Sequence, residues 1–570
     1  MSLNAESRFS EAPTSLDMSR STFNRDSSVK TTFNVGELVP FYLDEVLPGD
    51  TLSIDRSIVA RLQTLITPPM DNLYLDTYFF FVPNRLVWQH WRQFCGENTD
   101  SPWIPQTEYE VPQLTSPENG WSVGTIADYF GVPTGVPNIS VNAMPFRAYA
   151  MIVNEWFRDE NLCDPLDIPV SDATVTGVNS ASFVTDCAKG GKPYIAAKYA
   201  DYFTSCLPSP QKGPDVTIPS ATAGEFPVVT RPTDIAFDQF TSPLRFSLLG
   251  RDSSSLPSDQ FTRGNYPMNS RYNISSSAQG YLQPSGSAVE LGDAAVPSNL
   301  YALSSGGIGA TINQLRLAFQ IQKFYEKQAR GGSRYIEVLK SHFGVTSPDA
   351  RLQRPEYLGG NRVPINIQQI VQNSGTESSG TPQGTTTGMS VTSDTHSDFT
   401  KSFVEHGFVI GLMVARYDHT YSQGIPRMLS RKSKFDYYWP VFANIGEQAV
   451  KNKEIYAQGS AVKDSSGNVI DDQVFGYQEA WADYRYKPNM VTGEMRPTYA
   501  QSLDSWHFGD KYTTLPTLSD DWIKEDKSNV DRALAVTSAV SNQIFCDIFV
   551  ANKSTRCMPL YSVPGLIDHH

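Results

Sequence analysis

The sequence contains few cysteines, and none of them lies in a metal-binding spacing. Only six occur in 570 residues, and no CxxC pair is present. That density is too low for a disulfide scaffold, and the spacing does not fit a zinc site. We therefore expect reduced thiols in a protein that folds in a cytosolic compartment. The six are Cys95, Cys163, Cys187, Cys206, Cys546 and Cys557.

Long hydrophobic runs are equally scarce. The first fifteen residues, MSLNAESRFSEAPTS, lack the apolar core of a signal peptide. The longest uncharged apolar stretch of note is GFVIGLMVA at 407–415, which is about half the length of a membrane span. We therefore expect a soluble protein that does not insert into membranes.

Positive charge is in deficit. The chain has 46 lysines and arginines against 60 aspartates and glutamates, which gives a net charge of −14. Proteins whose main task is to coat DNA are basic, because neutralising phosphates supplies most of their non-specific affinity. The composition therefore excludes a histone-like coat, although a local basic patch can still contact nucleic acid.

Familiar catalytic and nucleotide-binding motifs are missing. SSGGIGATI (304–312) lacks the third glycine of GxGxxG and follows no predicted strand, and KGGKPY (189–194) has no Ser or Thr after its lysine. No HExxH or GxSxG occurs in the chain. We therefore predict that the protein is not an enzyme and needs no cofactor.

Two histidines with neighbouring carboxylates come nearest to a metal site. His406 follows Glu405, and His419 follows Asp418. The two histidines are thirteen residues apart, so on an extended strand they would lie on opposite faces. We predict no metal site there and leave open a structural Ca²⁺ ion elsewhere.

Aromatic and turn-forming residues are abundant instead. Charged residues make up only 19% of the chain, whereas it has 27 tyrosines, 30 phenylalanines, 39 glycines and 38 prolines. This combination is typical of a loop-rich β protein and not of a helical bundle.

Strand-like patterns are clearest near the two ends of the chain. VGELVPFYLDEVLPGDT (35–51) predicts a strand, a turn and a second strand, which SIDRSIVARLQTLI (53–66) continues. Near the other end, we predict strands in FVEHGFVIGLMVARY (403–417), KFDYYWPVF (434–442) and NQIFCDIFVANKSTRCMPLY (542–561). Strands from both ends must therefore pair across a long central insertion, as in a Greek-key or jelly-roll barrel.

NLYLDTYFFFV (72–82) is apolar in both of its alternating sets of residues. One set holds Tyr74, Tyr78, Phe80 and Val82, and the other holds Leu73, Leu75, Phe79 and Phe81. A strand that is apolar on both faces is covered on both faces. We therefore predict a doubly covered strand that ends at Pro83.

Three helices are predicted from apolar residues at helical spacing. They are a short helix over 86–94, laid on the same core, and longer ones over 144–162 and 310–332. We assign six aromatic residues of the strand over 72–82 and of the first two helices to the core or to subunit contacts. They are Phe79, Phe80, Phe81, Trp88, Trp91 and Trp156.

The chain divides into three parts by composition. Residues 1–33 are polar and without periodicity, which predicts an N-terminal arm that orders only against a partner. Residues 206–307 are rich in Ser, Pro, Gly and Asp and predict a variable surface insertion, while 373–397 reads as a flexible loop. Residues 34–205 and 308–570 are left for the barrel and its helical insertions.

Two basic stretches interleave cations with aromatic residues. They are RMLSRKSKFDYYW (427–439) and WADYRYKP (481–488), and stacking platforms beside cations are typical of single-strand binding. The alternative is a loop whose cations pair with a neighbouring acidic surface. The candidate DNA-facing residues are Arg427, Arg431, Lys432, Lys434, Trp481, Arg485 and Lys487.

Seven longer motifs share one resemblance. They are RSTFNRD, VKTTFNVGELVPFYLDEVLPGDT, LDTYFFFVPNRLVW, MPFRAYAMIVNEWFRDENL, SRYIEVLKSHFGV, RPEYLGG and FGYQEAWADYRYKPNMVTGEMRP. They resemble the major capsid protein of Microviridae, small icosahedral bacteriophages with circular single-stranded DNA, and in particular the gokushovirus branch. The resemblance runs from about residue 20 to the C-terminus and is weakest over 215–305.

This resemblance implies a mainly β fold: a single eight-stranded antiparallel viral jelly-roll barrel with long loop insertions and a few α-helices. It also implies a structural capsid protein that forms pentamers and a T=1 shell of about sixty copies. The shell would enclose the DNA, and 206–307 would form a protrusion at the threefold axes that serves host attachment.

The resemblance also implies partners and a location. The partners would be other copies of the chain, the packaged DNA, a small basic DNA-binding viral protein, a DNA pilot protein and a host cell-surface receptor. The protein would be assembled in the bacterial cytoplasm and reside in the virion. The residues themselves leave two alternatives open: a polysaccharide-active β-sandwich enzyme and a stand-alone phage adhesin.

Overall fold

The computed structural model describes twelve stretches of the chain. They are residues 20–97, 107–213, 225–227, 246–250, 272–275, 278–280, 300–304, 312–332, 335–346, 348, 353–376 and 380–561. For the short stretches between 225 and 304, and for 312–314 and 335–336, the description covers the backbone alone. Most of the predicted insertion 206–307, and residues 1–19 of the predicted arm, lie outside the described residues.

The described residues are mainly β, as the sequence predicted. In chain order the strands are β1 Ser21–Asn24, β2 Ser27–Phe33, β3 Val39–Val46, β4 Thr51–Leu62, β5 Leu73–Pro83, β6 Gln113–Thr115, β7 Ser140–Asn142, β8 Val175–Thr176, β9 Glu225–Pro227, β10 Phe246–Gly250, β11 Tyr272–Ser275, β12 Ala278–Gly280, β13 Leu300–Ser304, β14 Glu356–Gly359, β15 Arg362–Pro364, β16 Ile367–Val371, β17 Thr386–Ser390, β18 Thr392–Ser402, β19 Gly407–Tyr417, β20 Glu447–Lys451, β21 Val474–Glu479 and β22 Ile544–Arg556.

Helices are few and mostly one turn long. In chain order they are α1 Asn84–Val87, α2 Trp91–Phe94, α3 Ile126–Tyr129, α4 Met144–Ile152, α5 Phe183–Asp186, α6 Ile312–Gly331, α7 Tyr335–Val338, α8 Asn452–Ile455, α9 Asp520–Ile523 and α10 Ser528–Asp531. The single helix predicted over 86–94 is instead two short helices, α1 and α2, separated by residues 88–90. The helix predicted over 144–162 is α4 followed by a π-helical turn at Val153–Phe157.

Two five-stranded sheets form the centre of the fold. In the first, β1 and β2 both pair with β22, which is followed by β4 and β18. In the second, β14 and β15 both pair with β5, which is followed by β19 and β3. All of these pairs are antiparallel. Buried side chains from both sheets form one shared core, so the sheets pack as two layers.

Strand β5 is covered on both faces, as its double apolar pattern predicted. Leu73, Leu75, Phe79 and Phe81 enter the core between the sheets. Phe80 and Val82 enter a second core, with Tyr78 packed against it. This second core lies under α4 and the loops around it, because it also contains residues from Met144 to Val153. Pro83 is the last residue of the strand, as predicted.

Both edges of the first sheet differ from the sequence prediction. Residues 21–33 were expected to form part of an arm without packed structure, yet β1 and β2 pair with β22, with Thr31 opposite Cys546. Residues 373–397 were expected to be a flexible loop, yet β18 begins at Thr392 and pairs along β4. Edge strands need little apolar surface and are often polar, so their sequences carry a weak signal.

The stretch KFDYYWPVF (434–442) is not a strand, contrary to the prediction. It forms two 3₁₀ turns, Lys434–Asp436 and Pro440–Phe442. Pro440 cannot donate a ladder hydrogen bond, and the aromatic run lacks the alternation of a half-buried strand.

The chain separates into two compact units. The first holds the residues up to Pro210 together with those from Ala329 onward, and it contains both large sheets. The second is Gln211–Gln328. It therefore takes in most of α6, which the sequence assigned to the barrel.

Candidate functional site

The six predicted core or contact aromatics all pack inside the first unit. Phe79, Phe80, Phe81 and Trp88 are buried, and Trp91 and Trp156 are partly buried against the second core. Phe80 and Trp156 have ring centroids 5.4 Å apart. The indole N–H of Trp156 donates to the carbonyl oxygen of Pro355 over 3.1 Å. In the single chain these rings therefore stabilise the fold.

The first basic stretch follows β19 as a series of 3₁₀ turns, which begin at Arg427–Ser430. Asp436 closes the second turn, because its carboxylate accepts the backbone N–H groups of Lys432 and Ser433 over 2.8 and 2.7 Å. These hydrogen bonds lower the pKa of Asp436. The Asp436 carboxylate thus stabilises the backbone of this turn, although the side chains of the turn lie on the surface.

Arg431 is held inside the segment by a carboxylate and two rings. Its guanidinium forms an ion pair with Asp483, and only 9% of its side chain is exposed. It also lies 4.3 Å above the ring of Tyr484 and 5.3 Å from that of Tyr437. The two basic stretches, predicted as separate signals, are therefore joined at this residue.

Two further candidate arginines are also engaged by carboxylates. Arg427 donates to the hydroxyl of Tyr202 over 3.2 Å and lies 3.7 Å from Glu454. Burial lowers the pKa of Arg427, but Glu454, Tyr202 and Asp483 together outweigh burial, and the net pKa is raised. Arg485 forms an ion pair with Glu479. These contacts match the alternative stated above, in which the cations pair with neighbouring acids.

Trp481 is an anchor of the segment. It is buried, its backbone φ is 65°, and its indole N–H donates to the carbonyl oxygen of Phe442 over 2.9 Å. A non-glycine residue at positive φ is strained and persists only where its surroundings fix it. In this conformation its ring is not available to stack on a base.

The remaining three candidates are exposed lysines. Lys432, Lys434 and Lys487 lie on the surface. Within the part of the chain that the structure describes, none of the three forms a side-chain ion pair. Lys434 lies 5.0 Å from the ring centroid of Phe435. Their ammonium groups are the cations of the predicted set that remain available to a phosphate.

Eight exposed apolar side chains form a surface that the sequence did not predict, although it indicated stacking rings within 427–439. They are Met428, Leu429, Phe435, Tyr437, Tyr438, Trp439, Val441 and Ile445. The run of aromatic residues around Pro440 was the available signal, but 434–442 was interpreted as a strand. The pairing of Arg431 with Asp483, 52 residues away, had no sequence signal.

His419 and His406 have separate environments. The His419 imidazole is buried between Asp510 and Glu525, each 2.9 Å from one ring nitrogen. Burial lowers the pKa of His419, but the two carboxylates outweigh it and raise the pKa to about 10. His406 lies against the ring of Trp91. No group of three metal-ligating side chains occurs among the described residues.

Comparison with known proteins gives one consistent result. The family described as capsid protein (F protein) matches residues 10–566. Capsid protein VP1 of Spiroplasma virus 4 is 44% identical over 537 residues, covering 94% of this chain and 93% of the relative.

Two further relatives carry the same name. Capsid protein VP1 of Chlamydia phage 1 is 44% identical over 592 residues, which covers 98% of each chain. Capsid protein VP1 of Bdellovibrio phage phiMH2K is 38% identical over 565 residues, covering 98% of this chain and 97% of the relative. The resemblance to Microviridae capsid proteins seen in the motifs is thereby confirmed, and the family is one of structural proteins. Because the family match and the three relatives each cover nearly the whole chain, this protein belongs to the capsid protein (F protein) family.

Proposed function

We propose that about sixty copies of this chain assemble into a T=1 icosahedral shell around a circular single-stranded DNA genome. The observation that carries the proposal is similarity to phage capsid proteins over nearly the whole length of the chain. The enzyme and stand-alone adhesin alternatives have no comparable support.

We further propose that the two sheets are an eight-stranded jelly roll. Its main strands, in chain order, are β2, β3, β4, β5, the β14–β15 pair, β18, β19 and β22. The first, eighth, third and sixth of these are neighbours in one sheet, and the second, seventh, fourth and fifth are neighbours in the other. This strand order supports a jelly roll of two four-stranded sheets, because successive strands change sheet except the fourth and fifth, which are antiparallel neighbours in the second sheet.

We propose that some of the predicted DNA-facing residues contact the packaged DNA. The ion pairs of this region reduce the number of cations that are available for that contact. Arg427, Arg431 and Arg485 are engaged by carboxylates. We therefore assign DNA contact mainly to Lys432, Lys434 and Lys487. The acidic chain as a whole supports help from a small basic viral protein, since its net charge is −14.

Residues 206–307 are proposed to form a threefold protrusion that contacts a host receptor. Their support is composition, because the stretch is polar and no lysine occurs between Lys212 and Lys323. Deleting 215–305 should spare shell assembly and reduce infection. Loss of assembly on deletion would make the insertion structural instead.

The remaining proposals concern partners and location. We propose assembly in the host cytoplasm, a DNA pilot protein as a further partner, and residence in the virion. Within the described residues, no helix is both long and apolar enough to cross a membrane.

The proposal is tested by expressing the full chain and examining it by light scattering and negative-stain electron microscopy. We expect pentamers or closed particles with a mass near sixty copies of the 63.2 kDa chain. A monodisperse monomer at all protein and salt concentrations would overturn it.

A further inference from the structure

Residues 428–445 present an unusually apolar surface. Eight large side chains of this segment are between 44% and 88% exposed. They are Met428, Leu429, Phe435, Tyr437, Tyr438, Trp439, Val441 and Ile445. Exposed apolar residues scattered singly are normal, but a cluster of this size marks an interaction site. We call it the 428–445 surface.

The backbone beneath this surface is fixed by specific contacts. The indole N–H of Trp439 donates to the carbonyl oxygen of Lys434 over 2.8 Å. The backbone N–H of Tyr438 donates to the hydroxyl of Tyr484 over 3.3 Å, and Phe442 accepts from buried Trp481. The segment is therefore ordered before any partner arrives, so little conformational entropy is lost on binding.

The exposed area is sufficient for a stable protein contact. Aromatic side chains bury about 150–250 Å² each, so eight large side chains at these exposed fractions leave on the order of 900 Å². Each partner of a standard interface buries about 800 Å². The composition also fits, because Tyr, Trp, Phe and Met are enriched in interface cores.

The chemistry of the surface favours a protein partner over DNA. Met428, Leu429, Val441 and Ile445 are aliphatic and offer no ring to stack on a base. Arg431, which lies within this segment, is already neutralised by Asp483. Contact with a second apolar surface removes these side chains from water, which is favourable, whereas a hydrated polyanion such as DNA binds mainly through its charges.

We propose that the 428–445 surface is a contact between two copies of this chain. The inference rests on the proposed function, which supplies the second copy, and it names the surface through which subunits meet. The exposed lysines of the same region can still contact DNA if the edge of this interface faces the interior of the shell.

The first test places a thiol at the most exposed position. Val441→Cys is made in the full chain, and maleimide labelling of the peptide that contains it is followed by mass spectrometry. Peptide mapping separates it from Cys95 and Cys557, which are exposed free thiols. We expect labelling in assembled particles to be at least about tenfold slower than in dissociated subunits, since a contact worth about 1.4 kcal/mol suffices for that ratio.

Three results of this experiment would overturn the inference. Equal labelling in particles and subunits would leave the surface free in the shell. Protection that disappears when particles are emptied of DNA by nuclease would assign the surface to DNA. A wild-type chain that never assembles would overturn the proposed function and the inference together, whereas the first two results leave the proposed function intact.

The second test perturbs the contact directly. Leu429→Glu with Val441→Glu places two charges in the surface, and Val540→Glu is the matched control, because Val540 is 81% exposed elsewhere. We expect the double variant to need at least about tenfold more protein to assemble, with an unchanged melting temperature. Normal assembly of the double variant, or equal loss in the control, would contradict the inference.

Discussion

The Nδ1 nitrogen of His419 lies 2.9 Å from a carboxylate oxygen of Asp510, and both side chains are almost fully buried. The other ring nitrogen, Nε2, lies 2.9 Å from a carboxylate oxygen of Glu525. Lys198 lies 3.6 Å from Asp510, so two cations and two carboxylates share this site. The cluster joins the end of β19 to the segments around 198 and 510–525.

The first prediction concerns the pH dependence of this cluster. The pKa of His419 is about 10 in the fold and 6.5 for an exposed histidine. Its protonation therefore stabilises the fold fully below pH 6.5, and this contribution is lost as the pH rises towards 10. We expect the melting temperature of the wild type to fall across that window, and that of His419→Gln to fall less. His406→Gln is the control, and parallel curves for wild type and His419→Gln would contradict the assignment.

A second prediction concerns Asp398, which lies beside a bulge of β18. Its side chain has no exposed surface and is 3.5 Å from the Arg56 guanidinium. Burial raises the pKa of Asp398 to about 6, although Arg56 and His396 lower it. Since this pKa lies above the ordinary 3.8, the stabilising contribution is fully present below pH 3.8 and is lost as the pH rises through 6.

We therefore expect Asp398→Asn to gain stability relative to the wild type between about pH 4 and pH 7, by about 2 kcal/mol. The measurement is the thermal midpoint of both proteins across this range. Asp394→Asn, at the same arginine, is the matched control. An equal gain in the control would assign the effect to any charge near Arg56 and not to burial of Asp398.

A third prediction uses the two faces of β5. Phe79 belongs to the core between the sheets and Phe80 to the second core. Phe79→Leu and Phe80→Leu should each lower the melting temperature, and their effects should add in the double variant, because the rings share no partner across the strand. Phe79→Leu with Phe399→Leu should not add, since those rings are 5.5 Å apart. Strong coupling between Phe79 and Phe80 would contradict the two-core description.

A fourth prediction tests the DNA contact. Changing Lys432, Lys434 and Lys487 together to Gln should lower the DNA content of assembled particles and weaken the salt dependence of single-strand binding by up to about two units, since each phosphate contact contributes about 0.7 to the slope. Shell closure should be unaffected. Lys463→Gln with Lys527→Gln is the control, because both lysines are exposed elsewhere. Unchanged DNA content would remove the assignment.

Strong apolar patterns in the sequence were sufficient for the central strands. In β5, Phe79 and Phe81 enter one core and Phe80 and Val82 enter the other, as the two apolar sets of 72–82 indicated. In β19, the alternating residues Phe408, Ile410, Leu412 and Val414 all enter the second core. The polar edge strands β2 and β18 were missed, because an edge position demands hydrogen bonds and not apolar side chains. The exposed aromatic residues around Pro440 were assigned to a strand, because composition alone does not distinguish a strand from an exposed apolar segment.

The sequence by itself determined the mainly β class, the doubly covered strand over 72–82 and the family, since those depend on local alternation and on long motifs. The tertiary structure alone decided that Arg431 forms an ion pair with Asp483 and that His419 lies between the carboxylates of Asp510 and Glu525. Each of these partners is 52 to 106 residues away along the chain. The energy of an ion pair depends on the distance between the two charges in space. Sequence periodicity does not indicate which distant carboxylate lies close to a given cation in the fold.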